Sequence, residues 1–324
     1  MNRSVQPPGF IEVELGSYCN RRCAWCPNGW SERGRGRRQL PASVWRALLD
    51  DLARARYRGW LAFHNYNEPL ADPKLFLRLS QARRALPRAR FEVHTNGDLL
   101  NRAMLERLAA GGVDVVRVTL YPAASRAFEP PEPRRLNELF ARLGLPARGR
   151  VQRRSGRLER RAWVSRLLLV ARAPRISRYT DRAGSVGLAW LAAKRKRRRP
   201  CLLPCHSAAV DCHGNLKLCC HVYDSRDPAN APYVLGNVGA TPFSALWASA
   251  RMEDLRKQLR RARFAGLPAC ASCRHRPSAA KERQERDRSP RLRSGLLRRP
   301  PEGRRQCVCL TPSEGPSCRG RTAR

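Results

Sequence analysis

No stretch of the chain approaches the ~20 apolar residues that a membrane-spanning helix needs. Met1–Gly9 lacks the apolar core of an export signal, so no membrane association is expected and the expected location is cytoplasmic. Acidic residues are scarce: 26 Asp and Glu face 65 Lys and Arg, a formal charge of +39 over 324 residues. That balance excludes an acidic solvating protein. Concentration of the charge is missing too, because Arg is spread along the whole chain. A nucleic-acid face would gather it. The longest basic run, Lys194–Arg199, has no aromatic between its charges to stack on bases. Only weak, non-specific nucleic-acid binding is therefore expected. There is no internal repeat beyond an alternation of strand-like and helix-like segments. Apolar residues still make up 42%, which excludes a chain disordered throughout.

That alternation fills the first half. Strands are expected at Phe10–Leu15, Trp60–Tyr66, Phe91–Thr95 and Val113–Leu120. Helices are expected at Ala42–Tyr57, Pro73–Ala85, Arg102–Ala110 and Leu136–Leu143. Repeated βα units imply an α/β fold with a parallel sheet and helices outside it. A fifth strand is expected at Val164–Val170, a short apolar stretch at Val186–Ala193 and a helix over Leu246–Arg263. Lys194–Arg199 and Pro200 read as a solvated linker. The composition becomes Cys-rich at Cys201, and Arg274–Arg324 reads as an Arg/Pro-rich, disordered basic tail.

Thirteen Cys in a chain without an export signal are expected to stay reduced. Reduced Cys in tight groups are metal ligands more often than disulfides. Cys19, Cys23 and Cys26 lie within eight residues, directly after the first strand. Three thiolates suit either a zinc with a fourth ligand nearby or a [4Fe–4S] cluster with one iron left open. The carboxyl ends of parallel strands are where functional groups collect in such folds. Asn65-Tyr66-Asn67-Glu68-Pro69-Leu70 follows the second strand and His94-Thr95-Asn96-Gly97 the third. His64 and His94 also stand at strand ends, where a lone histidine is more often structural.

These three segments, in this order, resemble the radical S-adenosylmethionine superfamily over residues 10–186. The resemblance implies that Cys19, Cys23 and Cys26 hold a cluster whose open iron binds S-adenosylmethionine. It implies that Trp25 packs near the adenine, and that Asn67, Glu68 and Pro69 meet the methionine amino group through their backbone. Tyr66 and Asn67 stand where the family has two glycines. Thr95 and Asn96 join the cofactor-binding set, and Thr119 is a weaker match for a ribose or carboxylate contact.

A second Cys group follows. Asp211–Cys219 reads as a tight hairpin around Gly214 that delivers Cys219, and Cys270-Ala-Ser-Cys273 supplies a close pair. With Cys201 these make four ligands, for a zinc ribbon or for one auxiliary [4Fe–4S] cluster. The arrangement is similar to the SPASM or twitch extension of radical enzymes. Asp181-Arg182-Ala183-Gly184 resembles a segment that precedes this extension. Gly184 there suits a close backbone approach, and Arg182 is left between a carboxylate partner and the surface. Cys205, Cys212 and Cys220 are candidate hydrogen-atom donors. Whether Cys307, Cys309 and Cys318 ligate metal stays open.

The expected architecture is an incomplete (β/α)6 TIM-like barrel. Residues 1–9 extend it, 10–186 form the partial barrel, 187–200 the basic linker, 201–273 the auxiliary-cluster domain and 274–324 the tail. The resemblance implies cleavage of S-adenosylmethionine to a 5′-deoxyadenosyl radical that abstracts hydrogen from a substrate C–H. Dehydrogenation or epimerisation of a small molecule, an amino sugar or aminocyclitol, is the leading expectation. Peptide modification with a separate recognition protein is an alternative, and an RNA-binding metal ribbon is another. A flavodoxin or ferredoxin-type electron donor is the implied partner.

Overall fold

The computed structural model describes residues 6–123, 128–146, 151–154 and 157–275. The expected tail from residue 276, with Cys307, Cys309 and Cys318, lies outside them. Among the described residues no helix is long and apolar enough to cross a membrane.

Four βα units come first: β1 (Phe10–Val13), α1 (Ala42–Arg54), β2 (Trp60–Phe63), α2 (Leu75–Ala85), β3 (Arg90–Thr95), α3 (Arg102–Ala110), β4 (Val115–Thr119) and α4 (Pro133–Arg142). Local chemistry sets their starts. Pro133 opens α4, where a missing N–H costs nothing, and the Asn101 side chain accepts the Met104 N–H at the start of α3. Helical spacing in α1 buries Trp45, Leu48, Leu49 and Leu52. These meet Ile11, Val13, Leu61, Phe63, Phe91 and Val93 on the outer face of the sheet in the main core. Alternate residues of these strands and of β4 face the other way, among them the charged Glu12, Glu92 and Arg117.

The fifth parallel strand arrives differently from expectation. β5 (Gln152–Arg154), β6 (Arg157–Val164) and β7 (Leu167–Pro174) form an antiparallel run, and only β7 pairs parallel with β4. The stretch Val164–Val170 therefore spans a turn, at Ser165 with φ 52°, and is not one strand. Within Val186–Ala193 only a short 3-10 turn forms, at Ala189–Leu191.

The Cys-rich region supplies α5 (Leu203–His206), β8 (Ser207–Val210), β9 (Asn215–Lys217), β10 (Val234–Asn237), α6 (Phe243–Trp247), α7 (Ala250–Arg260) and α8 (Pro268–Ala271). β8 pairs parallel with β1, on the side away from β2. The sheet order is β10-β9-β8-β1-β2-β3-β4-β7-β6-β5, so six neighbouring strands are parallel and the sheet stays open at both edges. The incomplete barrel is as expected. Its sixth parallel strand, however, comes from the Cys-rich region and not from a sixth βα unit. The helix expected over Leu246–Arg263 is two, α6 and α7, broken where Ser249 caps α7.

Candidate active site

The loop after β1 carries Cys19, Cys23 and Cys26, all partly buried. It is wound tightly: the Cys26 N–H donates to the Cys23 carbonyl at 3.0 Å, and the Gly29 N–H to Cys26 at 2.8 Å. A Cβ on Gly29 would sit 2.5 Å from the Cys23 carbonyl oxygen, so only glycine fits there. Burial and mutual crowding push the thiols up, Cys19 to about 12 and Cys23 to about 11. Thiols so placed ionise only when a cation takes the charge, which suits a metal-cluster donor set.

Two neighbouring strand ends are tied to this loop. Asn96 donates through Nδ2 to Asn20 at 2.7 Å, and Asp98 accepts from Asn20 at 2.9 Å and from Arg21 Nε at 2.6 Å. Glu68 joins the same assembly. Its carboxylate accepts from Thr95 Oγ1 at 2.7 Å, the Asn96 N–H at 2.8 Å and the Leu70 N–H at 3.1 Å. Its own N–H donates to the Tyr18 carbonyl at 2.9 Å. Burial raises the Glu68 carboxyl to about 7 against the pull of those donors. The side chain of Glu68 is thus a tie between loops, a role that the segment's spacing did not reveal. Asn67 and Pro69 are buried beside it. Trp25 is buried against Tyr121, ring centroids 6.2 Å apart. Trp25 Nε1 and Asn67 Oδ1 are buried with no protein partner, two polar atoms that a polar ligand would satisfy. Thr119 ends β4 in register with Arg172.

In the second Cys group, Cys201, Cys219, Cys270, Cys273 and His221 line one small cavity. Burial, with the other thiols adding to it, raises Cys219 and Cys270, the latter to about 12. Among the described residues no three Cys, His, Asp or Glu side chains are gathered tightly enough for a single metal ion. Thiols spread around a cavity suit a multi-iron cluster, a larger body than one zinc. Arg197 closes this site. Its N–H donates to the Ala271 carbonyl, and its guanidinium to the carbonyls of Cys273, His275, Arg199 and Pro200. Within the run Lys194–Arg199, read as a linker, Arg197 thus has a fixed place.

Arg182 and Tyr66 stand between the two groups. The Tyr66 hydroxyl donates to the carbonyls of Cys220 and His221, at 2.9 and 3.1 Å, and its backbone carbonyl accepts from Asn28 next to the first Cys loop. Arg182 lies 3.2 Å from His221 Nδ1 and near the rings of Tyr66 and Tyr179. It is held there by three successive left-handed residues, Arg182, Ala183 and Gly184, at φ 52°, 58° and 84°. A Cβ on Gly184 would meet nothing within 4 Å, so that glycine serves the backbone conformation and not a close approach.

The three candidate hydrogen donors separate. Cys212 is fully buried and receives the Arg33 guanidinium at 3.3 Å, inside the Arg33–Glu14 ion pair. Cys205 lies by Arg260, on the side of the second Cys group. Cys220 alone of the three meets Glu12, on the inner face of β1. Nearby, His64 and His94 stack with ring centroids 3.7 Å apart, and His94 and Arg117 both bind Glu92. Glu12 was not picked out from the sequence, and His64 and His94 were read there as lone histidines at strand ends and not as a pair. Acidic residues at alternate positions of an otherwise apolar strand, Glu12 and Glu14, were the available signal.

Residues 13–122 match the family model of the radical SAM superfamily, and residues 201–274 match that of the SPASM iron–sulfur cluster-binding domain. The chain is 27% identical over 265 residues to an S-adenosyl-L-methionine-dependent 2-deoxy-scyllo-inosamine dehydrogenase of Niallia circulans, covering 82% of this chain and 92% of that protein. A crystal structure of BtrN in complex with AdoMet and 2-DOIA is similar at a TM-score of 0.59 and 22% identity, over 83% of this chain and 94% of that one. BtrN in an open conformation gives 0.57 and 22%, over 85% and 94%.

Proposed function

We propose that this chain, a radical S-adenosylmethionine enzyme with a C-terminal SPASM-type iron–sulfur domain, oxidises a secondary alcohol of a small aminocyclitol or amino sugar to the ketone. Likeness to the Niallia circulans dehydrogenase over most of both chains supports the substrate class. Cys19, Cys23 and Cys26 would hold the first cluster, and Cys201, Cys219, Cys270 and Cys273 the auxiliary one. When bound, the first cluster and S-adenosylmethionine supply a hydrogen-abstracting 5′-deoxyadenosyl radical, and the auxiliary cluster accepts one electron.

The protein's part is positioning and exclusion of water. Glu68 fixes the loops around the cofactor, with Thr95 and Asn96 as its partners. Trp25 and Asn67 offer a buried N–H and a buried carbonyl to it. One observation carries the reading. Tyr66 and Arg182 bridge the first Cys loop and the wall of the second Cys cavity, which supports a substrate bound between the two. A single-electron acceptor must be within electron-transfer reach of the oxidised carbon, and a bridge of two side chains between the groups is consistent with that. A flavodoxin or ferredoxin-type protein would deliver the reducing electron.

The anaerobically reconstituted protein is expected to hold about eight irons. With a reductant and 2-deoxy-scyllo-inosamine it should form ketone and 5′-deoxyadenosine in equal amounts. Changing Cys19, Cys23 and Cys26 together to Ala should remove about four irons and abolish cleavage of S-adenosylmethionine. Stoichiometric zinc without iron would overturn the cluster assignment. The position of Cys220 beside Glu12 favours epimerisation as the second reading. An isomer of the substrate carrying solvent hydrogen, in place of the ketone, would select it.

A further inference from the structure

We propose that Glu12 recognises the amino group of the substrate, an inference that rests on reading the chain as an enzyme of an amino-bearing small molecule. The starting point is an imbalance. The chain has 65 Lys and Arg for 26 Asp and Glu, so a buried carboxylate should easily find a cation. Three carboxylates on or beside the strands do. Glu14 binds Arg33, Glu92 binds Arg117, and Glu159 binds Arg157 and Arg161. Glu12 is only 8% exposed. Among the described residues no Lys or Arg forms an ion pair with it.

Lys217 and Arg182 are near enough to favour the charged form of Glu12, but neither pairs with it, and its direct neighbours are neutral. His64 Nε2 lies 3.7 Å from Glu12 Oε2, beyond hydrogen-bond reach, and has no hydrogen-bond partner of its own. Burial and the stacked His94 keep His64 uncharged. Asn65 Nδ2 is at 3.5 Å, and the Cys220 thiol lies alongside. The Lys217 ammonium is spent on the carbonyls of Val222 and Tyr223, at 2.7 and 3.5 Å. Arg182 is directed at His221, and Glu92 is taken by Arg117 and His94.

A buried, unpaired carboxylate is costly, and the group responds by holding its proton up to about pH 7. A ligand ammonium supplies a paired charge and three donors, for which the Glu12 carboxylate and the unpartnered His64 Nε2 are acceptors. A hydroxyl in its place brings one donor and no charge. Cys220 neighbours the auxiliary ligand Cys219, so an amino group at Glu12 places the substrate ring beside the Tyr66–Arg182 bridge.

The test uses the reconstituted holoenzyme with S-adenosylmethionine and without reductant, so that binding is read without turnover. Two ligand pairs are titrated by calorimetry at about pH 8, where Glu12 is mostly ionised. One is 2-deoxy-scyllo-inosamine and its counterpart with hydroxyl for amino. The other is 4-aminocyclohexanol and cyclohexane-1,4-diol. The amine of each pair is expected to bind about tenfold tighter, and Glu12→Gln to bring the two within about twofold. Glu12→Asp, which keeps the charge on a shorter arm, should retain part of the preference. Iron content and S-adenosylmethionine affinity report the folding of each variant. An amine preference absent from the parent, or one that survives Glu12→Gln, overturns the inference. A Glu12-dependent preference in the cyclohexane pair, with no binding of either cyclitol, supports it while removing the aminocyclitol as substrate.

Discussion

At the scale of single residues, burial sets how the inner carboxylates Glu12 and Glu68 respond to pH, and their partners set what a substitution costs. Glu12 holds its proton in the folded protein up to about 7, against 4.5 for a free glutamate. The folded state therefore binds more protons than the unfolded state between those values, and stability falls as pH rises through that window. Glutamine cannot ionise, so Glu12→Gln should gain stability over the parent by up to about 3 kcal/mol between about pH 5 and pH 8. Thermal unfolding at both pH values, without substrate, measures it. Glu68 is raised to about 7 by burial as well, but its carboxylate has three hydrogen-bond donors that a substitution would leave unpaired. Glu68→Ala should cost about 2–4 kcal/mol and loosen the loop that carries Cys19, Cys23 and Cys26. A melting curve and an equilibrium titration with S-adenosylmethionine would check both effects. The residues legible in the sequence, Cys19, Cys23, Cys26 and Glu68, sit in contiguous loops where spacing carries the information. Arg182, Tyr66 and Glu12 were not legible as a group. They meet only through the fold, from positions 12, 66 and 182.

Among the elements, the first four strands and helices were readable because apolar periodicity and turn signals agree there, as at Pro133 and Asn101. The β6–β7 hairpin was not. Its turn uses Ser165 and Arg166, with no Gly, Pro, Asn or Asp to mark it, and two buried apolar flanks read as one strand. The basic run shows the same limit. Six like charges look solvated, yet Arg197 holds five backbone carbonyls around the CxxC pair, counting its own N–H bond. Arg197→Ala should lower the iron content by about four per chain, leaving the first cluster. Arg195→Ala and Arg198→Ala should leave it unchanged. Iron analysis with electron paramagnetic resonance of the reduced protein separates these outcomes.

For the whole molecule, the two Cys groups share one sheet. β8 flanks β1, Asp51 of α1 accepts the Ser244 N–H at 2.7 Å and its hydroxyl at 3.0 Å, and Trp247 reaches the Gln6 carbonyl at 3.0 Å. The proposed boundaries 10–186 and 201–273 therefore divide a chain whose parts lean on each other. A chain ending at residue 186 is expected to be insoluble or molten by circular dichroism. One ending at residue 280 is expected to keep about eight irons, and loss of the auxiliary irons would make Cys307, Cys309 or Cys318 a ligand. The dispersed charge predicts RNA retention on filters that falls steeply with salt and shows no preferred sequence. The pairing of β8 with β1 also has a consequence for synthesis. On the ribosome the first strand waits with one flank bare until residue 207 of 324 has emerged. A bare parallel edge is a template for wrong partners. The nascent chain is thus most at risk late in translation, and a pause shortly before residue 200 lengthens the time it stays exposed.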